Sequence, residues 1–236
     1  MSYQIAIDGP AGAGKSTIAK RVAKIKEFIY VDTGAMYRAM AYYLLQQKVL
    51  PKDGIAIEEK CTGADITIRY ENGEQVVYLN GENVNSVIRS EEVGNMASLS
   101  SPNPKVRERL TQLQKELAAK NNVVMDGRDI GTCVLPNADV KVYLTASSAV
   151  RAKRRYDELT AKGIACDIDK IEEDIIIRDK QDMSREIAPL KQAEDAVLID
   201  SSHMTIEEVV HAILALCKTD EKLPLKEVIA GLKNAE

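Results

Sequence analysis

Short apolar runs alternate with stretches of helical periodicity along most of the chain. The periodic stretches predict helices at residues 15–26, 35–47, 106–120, 149–162, 171–181 and 206–218. The apolar runs predict buried strands at residues 5–8, 28–31, 123–126, 140–144 and 196–200. Apolar strands separated by helices are typical of a parallel sheet that is covered on both faces. The pattern therefore predicts an α/β fold with a parallel sheet flanked by helices.

One segment departs from this alternation. Short strands are predicted at residues 66–69, 76–79 and 84–88, and they are separated by Asn72-Gly73 and Asn80-Gly81. The Asn-Gly dipeptide supplies the positive φ angles of a tight hairpin turn. The segment therefore predicts three antiparallel strands within an otherwise parallel fold.

These patterns predict a single domain with an insertion. The core is expected to comprise residues 1–61 and 91–236, and the antiparallel insertion residues 62–90. The end of the chain, 224–236, is predicted to form a peripheral helix. A chain of 236 residues is long enough for such a core with one added unit.

Composition narrows the class of protein. The net charge of −4 argues against a dedicated nucleic-acid binder, because no global field attracts a polyanion. The four cysteines form no C-x-x-C pair and there are only two histidines, so a structural zinc site is not expected. Scattered cysteines indicate reduced thiols in a cytoplasmic protein. No apolar run predicts a membrane span, and no exposed apolar stripe is evident, so a monomer is expected.

A glycine-rich segment between the first strand and the first helix carries the clearest chemical signal. It matches the pattern of Gly, four residues and Gly-Lys-Ser/Thr in the strand–turn–helix context that this motif requires. Backbone N–H groups and the helix N-terminus bind phosphates in such a loop, the lysine reaches the β- and γ-phosphates, and the hydroxyl can ligate Mg²⁺. The predicted ATP-binding residues are Gly9, Pro10, Ala11, Gly12, Ala13, Gly14, Lys15, Ser16 and the adjacent Thr17.

A carboxylate ends the third predicted strand of the core. Asp126 follows the apolar run 123–125, a position from which a carboxylate helps to hold Mg²⁺ together with Ser16. The alternative is an aspartate that caps the following turn. The presence of a phosphate-binding loop favours the metal role.

Three further segments identify the class of phosphate-binding protein. They are Asp-Thr-Gly-Ala-Met-Tyr-Arg at 32–38, Gly-Arg-Asp-Ile-Gly-Thr at 127–132, and the paired arginines of 178–185 before Ile-Ala-Pro-Leu at 187–190. Together they resemble the bacterial cytidylate kinase family in its long form, and the resemblance runs from residue 3 to about 217. It implies a P-loop nucleoside monophosphate kinase that transfers the γ-phosphoryl group of ATP to CMP or dCMP in pyrimidine nucleotide metabolism.

The resemblance also implies how the acceptor base is read. Ser98, Arg107 and Asp129 lie where the family binds cytosine. A carboxylate accepts from the exocyclic amine of cytosine, and a guanidinium donates to the ring N3 and O2. Each residue has an alternative: Asp129 as a turn cap, Arg107 as a solvated charge, and Ser98 replaced in this role by its neighbours Ser100 or Ser101.

Other residues match the family's phosphate and sugar contacts. Planar guanidinium groups suit phosphate oxygens because they donate two parallel hydrogen bonds. The resemblance places Thr33, Arg38 and Arg128 at the acceptor phosphate with Tyr37 beside them, Arg178 and Asp182 at the sugar or the transferring phosphate, and Arg185 at another phosphate contact.

A basic segment at about 147–170 resembles the mobile lid of monophosphate kinases. Arg151, Arg154 and Arg155 are spaced to share one helix face and are expected to close over the ATP phosphates. The alternative is a solvated basic face. The residues expected to serve catalysis are Lys15, Arg128, Arg154 and Asp126. Lys15, the arginines and Mg²⁺ neutralise charge, and Asp126 helps to hold the metal.

Two other functions stay open on the sequence. One is a P-loop kinase for UMP, another monophosphate or a metabolite. The other is a regulatory nucleotide-binding switch, although the chain lacks the Asn-Lys-x-Asp motif that reads guanine in GTPases. An arginine-rich acceptor site has no purpose in a switch.

Overall fold

The computed structural model describes residues 2–71 and 73–217. Five parallel strands form the main sheet: β1 (Gln4–Asp8), β2 (Ile29–Asp32), β6 (Val123–Gly127), β7 (Val140–Thr145) and β8 (Val197–Asp200). Their order across the sheet is β2-β6-β1-β7-β8. The predicted α/β fold with a parallel sheet is thereby confirmed.

Helices cover both faces of this sheet. They are α1 (Lys15–Lys26), α2 (Thr33–Gln46), α3 (Gly54–Cys61), α4 (Glu91–Ser100), α5 (Pro104–Lys120), α6 (Ser148–Ala161), α7 (Ile168–Met183) and α8 (Ile206–Leu216), with a π-helix at Ile130–Val134. Side chains of β1 alternate between the two faces. Ile5 and Ile7 pack against α1 and α8, whereas Ala6 packs against α2 and α5.

A second sheet of three antiparallel strands forms within the predicted insertion. It contains β3 (Ile66–Glu71), β4 (Glu74–Leu79) and β5 (Glu82–Asn83). The positive φ angles of Asn80 and Gly81 confirm the second Asn-Gly turn. Gly73 also has a positive φ angle, but its predicted partner Asn72 lies outside the described residues.

The third predicted strand of the insertion, at 84–88, is wrong. The strand occupies only Glu82–Asn83, and a turn follows in which the N–H groups of Val87 and Ile88 donate to Val84 O over 3.1 Å. The Asn85 side chain takes over the hydrogen bonds of a strand, since it accepts from Val77 N and donates to Gln75 O. The side chains of Val84 and Ile88 are buried although they belong to a turn, which explains the apolar pattern that resembled a strand.

Capping residues move the starts of α2, α5, α6 and α7 upstream of the predictions. Asp32 accepts from Ala35 N, so α2 begins at Thr33, and Asp167 accepts from Asp169 N, so α7 begins at Ile168. Helices α3 and α4 were not predicted. The helix predicted at 206–218 is α8, which ends at Leu216, and the predicted helix at 224–236 lies outside the described residues.

Two side chains join the insertion to the edge strand β2. Gln75 accepts from Asp32 N over 2.8 Å and donates to Asp32 O over 3.2 Å. The Tyr70 hydroxyl donates to Tyr30 O over 3.0 Å. These contacts satisfy backbone groups that an edge strand leaves unpaired. Among the helices of residues 2–71 and 73–217, none has the length and apolar character to cross a membrane.

Candidate active site

The predicted functional segments converge at the carboxyl ends of the central strands. β1 ends at Asp8, β6 at Gly127 and β2 at Asp32, and Asp126 is the register partner of both Ile7 and Asp32. Open parallel sheets bind ligands in the crevice beyond these ends. The phosphate-binding loop, the turn after β6 and the start of α2 therefore border one site.

Close packing shapes the phosphate-binding loop. A Cβ atom on Gly9 would lie 1.9 Å from Leu144 O, so only glycine fits where the loop leaves β1. Gly12 and Gly14 have φ angles of 76° and 88°, and Gly14 precedes the first turn of α1. The loop thus presents the N-terminus of a twelve-residue helix, which is a suitable site for an anion.

Lys15 is buried beneath this loop. Its Nζ donates to Pro10 O over 2.7 Å, and the side chain is 6% exposed. Burial, together with the positive charge of Arg128, lowers the pKa of Lys15 to about 7. A polyphosphate in the loop would supply the negative charge that favours the protonated amine.

Asp126 lies under the loop with both carboxylate oxygens engaged. Oδ2 accepts from Ser16 Oγ over 3.0 Å, and Oδ1 accepts from the Tyr30 hydroxyl over 2.8 Å. Burial and nearby Asp32 raise the pKa of Asp126, and burial raises that of Tyr30, which therefore stays protonated and donates. Both oxygens of Asp126 are thus bound to the side chains of Ser16 and Tyr30, and not to the turn that follows the strand.

The oxygens of Ser16 and Asp126 suit Mg²⁺, which prefers hard oxygen ligands. In the described part of the chain, no three His, Cys, Asp or Glu side chains are grouped to hold a metal ion by themselves. Mg²⁺ usually binds through one or two carboxylates and the phosphates of a nucleotide rather than in an all-protein cage. The residues present therefore fit a nucleotide-bound Mg²⁺.

A buried ion pair lies at the turn after β6. Arg107 on α5 pairs with Asp129 Oδ2, and the two residues are 6% and 5% exposed. The guanidinium lies 5.7 Å from the centre of the Tyr37 ring and also donates to Ser101 O. Arg107 is therefore not a solvated charge, and Asp129 forms no side-chain cap of the π-helix.

The serines near this pair lie at the end of α4. Ser98 is half-buried, and its carbonyl accepts from Ser101 Oγ over 3.1 Å. Ser100 Oγ is buried without a hydrogen-bond partner. Ser101, which follows α4, is the serine whose carbonyl accepts from Arg107.

Three arginines, Arg128, Arg178 and Arg185, act on one buried carboxylate. Asp182, which is 1% exposed, accepts from Arg128 Nε over 2.8 Å and pairs with Arg185. Although burial alone would raise it, the pKa of Asp182 is lowered by Arg128 and Arg185. Burial and neighbouring guanidinium groups lower the pKa values of Arg38, Arg178 and Arg185.

Arg178 shows the imbalance of charge most directly. Its Nε is buried and has no hydrogen-bond partner. Buried polar groups are paired in the great majority of cases, and exceptions often mark sites for ligands or water. The three guanidinium groups that act on Asp182, together with Arg38, which acts on Arg178, thus offer donors and positive charge to a phosphate.

Thr33 is buried and bonded to the main chain of β6. The side chain is 3% exposed, and its hydroxyl donates to Asp126 O over 2.7 Å. It therefore fixes the start of α2 against the end of β6 in this conformation. That role positions Tyr37 and Arg38, which follow on the same helix.

The three lid arginines have different surroundings. Arg151 is buried, pairs with Asp179 on α7 and donates to Ala11 O in the phosphate-binding loop over 2.9 Å. Arg154 donates to Ser201 O over 2.8 Å, and its Nη1 lies 4.0 Å from where a Cβ on Gly14 would be. Arg155 is exposed and pairs with Glu158, so the structure does not bring it to the loop.

Comparisons with known proteins agree with the segments that carry the resemblance. A family model described as cytidylate kinase matches residues 5–219. The chain belongs to the cytidylate kinase family. The cytidylate kinase of Geobacillus sp. (strain WCH70) is 50% identical over 215 residues, which cover 91% of this chain and 96% of that protein. The cytidylate kinase of Exiguobacterium sp. (strain ATCC BAA-1283 / AT1b) is 50% identical over 212 residues, which cover 90% and 95%.

Solved structures show a weaker likeness. A shikimate kinase from Acinetobacter baumannii in complex with shikimate is 18% identical, covers 92% of this chain and 93% of its own, and has a TM-score of 0.46. That score is too low to support a statement about this chain. The cytidylate kinase family match itself confirms the predicted enzyme class, an ATP-dependent phosphotransferase for CMP or dCMP.

Sequence reasoning missed two residues of this cytidylate kinase site. Asp8 is 5% exposed and accepts from Ile130 N and Gly131 N over 2.8 and 2.7 Å, so it fixes the turn that carries Asp129. Tyr30 binds Asp126. Asp8 had a detectable signal, because it ends an apolar strand next to the phosphate-binding loop as Asp126 does. Tyr30 had none, since a tyrosine within an apolar run resembles an ordinary core residue.

Proposed function

We propose that the protein transfers the γ-phosphoryl group of Mg²⁺-bound ATP to the phosphate of CMP or dCMP. The observation that carries this proposal is the pairing of two anion sites. Lys15 and the phosphate-binding loop form one, and Arg38, Arg128, Arg178 and Arg185 form the other. Burial and then the positive charge of Arg128 lower the pKa of Lys15, which supports two anion sites that are close enough to act on each other.

The residues of the first site bind the donor. Loop N–H groups and Lys15 would hold the β- and γ-phosphates, with Arg154 entering from α6. Ser16 and Asp126 would hold Mg²⁺, which neutralises charge on the phosphates. Arg151 supports the loop from below through Ala11 O.

The residues of the second site bind the acceptor. The guanidinium groups hold its phosphate in line with the donor, and Asp182 holds two of them in place. Asp129 Oδ2 is engaged by Arg107, which leaves Oδ1 to accept from the exocyclic amine of cytosine. Uracil would place a carbonyl there, and two acceptors would then face each other in a buried site.

No side chain of the site needs to act as a nucleophile. Phosphoryl transfer passes through a loose transition state with charge on the equatorial oxygens, and catalysis rests on alignment and charge neutralisation. We further propose that the insertion at 62–90 covers the acceptor and that the lid at 147–170 excludes water. A monomeric state and a cytoplasmic location stay predictions.

An acceptor panel tests the proposed function. The purified protein is incubated with ATP, Mg²⁺ and each of CMP, dCMP, UMP, AMP, GMP or shikimate, and the diphosphate or phosphorylated product is quantified. We expect the highest kcat/KM with CMP or dCMP. A preference for another acceptor would contradict the substrate assignment, and nucleotide binding without transfer to any acceptor would favour a regulatory switch.

A further inference from the structure

The proposed function leaves the Tyr30 side chain without a role. Tyr30 lies on β2, and its hydroxyl donates to Asp126 Oδ1 over 2.8 Å. The other oxygen of the same carboxylate, Oδ2, accepts from Ser16 Oγ over 3.0 Å. The phenol and the serine thus hold opposite oxygens of one carboxylate.

The register of the sheet brings these groups together. Tyr30 is the partner of Val124, and Asp32 is the partner of Asp126. Because side chains alternate along a strand, Tyr30 lies on the same face of the sheet as Asp126, one diagonal position before it. A tyrosine is long enough to span that diagonal and reach the carboxylate. Lys20 Nζ lies 5.7 Å from the centre of its ring and adds a contact from α1.

The hydrogen bond restricts how the carboxylate can turn. An aspartate held at one oxygen only can rotate about its last torsion angle, which is broad and roughly two-fold. With Oδ1 bound to Tyr30, the carboxylate plane is set and Oδ2 faces Ser16. Groups that orient a metal ligand in this way commonly change metal affinity when they are removed.

We propose that Tyr30 is a positioning residue for the Mg²⁺ that accompanies the nucleotide, acting through Asp126. This inference rests on the proposed role of Asp126 and Ser16 at the metal. It adds a residue from the edge strand, outside the phosphate-binding loop, to the elements that determine metal binding.

The chain offers a matched control in Tyr70. Its hydroxyl also makes one hydrogen bond, but to the main-chain carbonyl of Tyr30 rather than to Asp126. Tyr30→Phe and Tyr70→Phe therefore remove the same atom from adjacent places. Only the first removes a donor from the carboxylate.

The experiment measures how strongly the metal assists nucleotide binding. The dissociation constant of a fluorescent ADP analogue is determined with Mg²⁺ and again with EDTA. The value in EDTA divided by the value with Mg²⁺ gives the coupling between metal and nucleotide on the protein. We expect Tyr30→Phe to reduce this ratio about 10-fold and to leave binding in EDTA unchanged. Tyr70→Phe is expected to keep the ratio of the wild type.

Asp126→Asn separates failure of this inference from failure of the metal assignment. If Asp126→Asn reduces the ratio and Tyr30→Phe does not, Tyr30 has no positioning role. If neither variant changes the ratio, Asp126 does not hold the metal, and both statements are wrong. An equal reduction in Tyr30→Phe and Tyr70→Phe would indicate general loosening of β2 and would also overturn the inference. Thermal unfolding of each unliganded variant verifies that it is folded.

Discussion

The two anion sites of the molecule differ in how their charges are balanced. In the donor site, Lys15 donates to Pro10 O, and Arg151 is engaged by Asp179 and by Ala11 O. In the acceptor site, Arg128 and Arg185 share the carboxylate of Asp182, and Arg178 Nε has no hydrogen-bond partner. The donor site is held by backbone and internal pairs, whereas the acceptor site keeps an excess of positive charge.

This difference indicates two ways of preparing to bind phosphate. The donor loop is shaped before any ligand arrives, because glycine conformation and close packing fix its path. The acceptor site keeps a buried donor, Arg178 Nε, without a hydrogen-bond partner until an anion enters. Binding sites commonly carry such local instability, which a ligand then relieves.

The largest expected effect concerns the donor site. Lys15→Met keeps the apolar stem of the side chain but removes its charge, and we expect kcat to fall about 1000-fold because charge on the transferring phosphoryl group is no longer neutralised. Steady-state kinetics with CMP as acceptor measure this. Lys24→Met, on an exposed position of the same helix, is the control and should keep its rate. An unchanged kcat in Lys15→Met would contradict the donor assignment.

The next effect concerns the base. Asp129→Asn keeps an oxygen for Arg107 but presents an amide donor where cytosine has its amine. We expect kcat/KM for CMP to fall about 100-fold, with a smaller fall or a gain for UMP, which accepts at that position. The ratio of the two values is the decisive measurement. A loss shared equally by CMP and UMP would indicate damage to the fold, and not a change in base reading.

Much of the donor half could be predicted from sequence. The loop motif and its strand–helix context specify local backbone geometry, and the observed α1 has the predicted bounds of 15–26. The parallel sheet followed from apolar strands with helical connections. These signals are local, because each depends on residues that are close in the chain.

The acceptor half depended on the resemblance to a family. Arg107 pairs with Asp129 over a separation of 22 residues, and Arg128 with Asp182 over 54. Such pairs follow from the tertiary fold and leave no periodic trace. The contact of Tyr30 with Asp126 was missed for the same reason. The segment 84–88 resembled a strand because its apolar pattern does not reveal that the Asn85 side chain makes the hydrogen bonds a strand would make.

A third prediction contrasts stability with binding. Arg178→Met should raise the free energy of unfolding of the unliganded protein, because it removes a guanidinium whose pKa is lowered by burial and by Arg128. It should also raise the KM for CMP about 10-fold or more through the loss of a charge-assisted hydrogen bond. Chemical denaturation and kinetics test the two effects. Arg155→Met, which removes an exposed arginine, should change neither.

The smallest effect is expected in the pH dependence of donor binding. The folded protein lowers the pKa of Lys15 to about 7, so at pH 8 most unliganded molecules carry the neutral amine. A bound diphosphate favours the protonated form, and binding of ADP at pH 8 should therefore take up close to one proton. The uptake should decline as the pH falls below 7, where the amine is already charged. Above pH 7, the affinity for ADP should weaken by up to about 10-fold per pH unit.

Calorimetry in two buffers of different ionisation enthalpy measures this proton uptake directly. Lys15→Met should show none at pH 8, which separates the lysine from other titrating groups. The acceptor arginines give no comparable signal, because guanidinium groups stay protonated throughout this range. CMP binding at pH 8 should accordingly take up a smaller fraction of a proton than ADP binding, and only through the weaker effect of Arg128 on Lys15. Equal proton uptake with CMP and with ADP would contradict the difference between the two sites. It would mean that another group near the acceptor site is deprotonated in the unliganded protein and gains a proton when CMP binds.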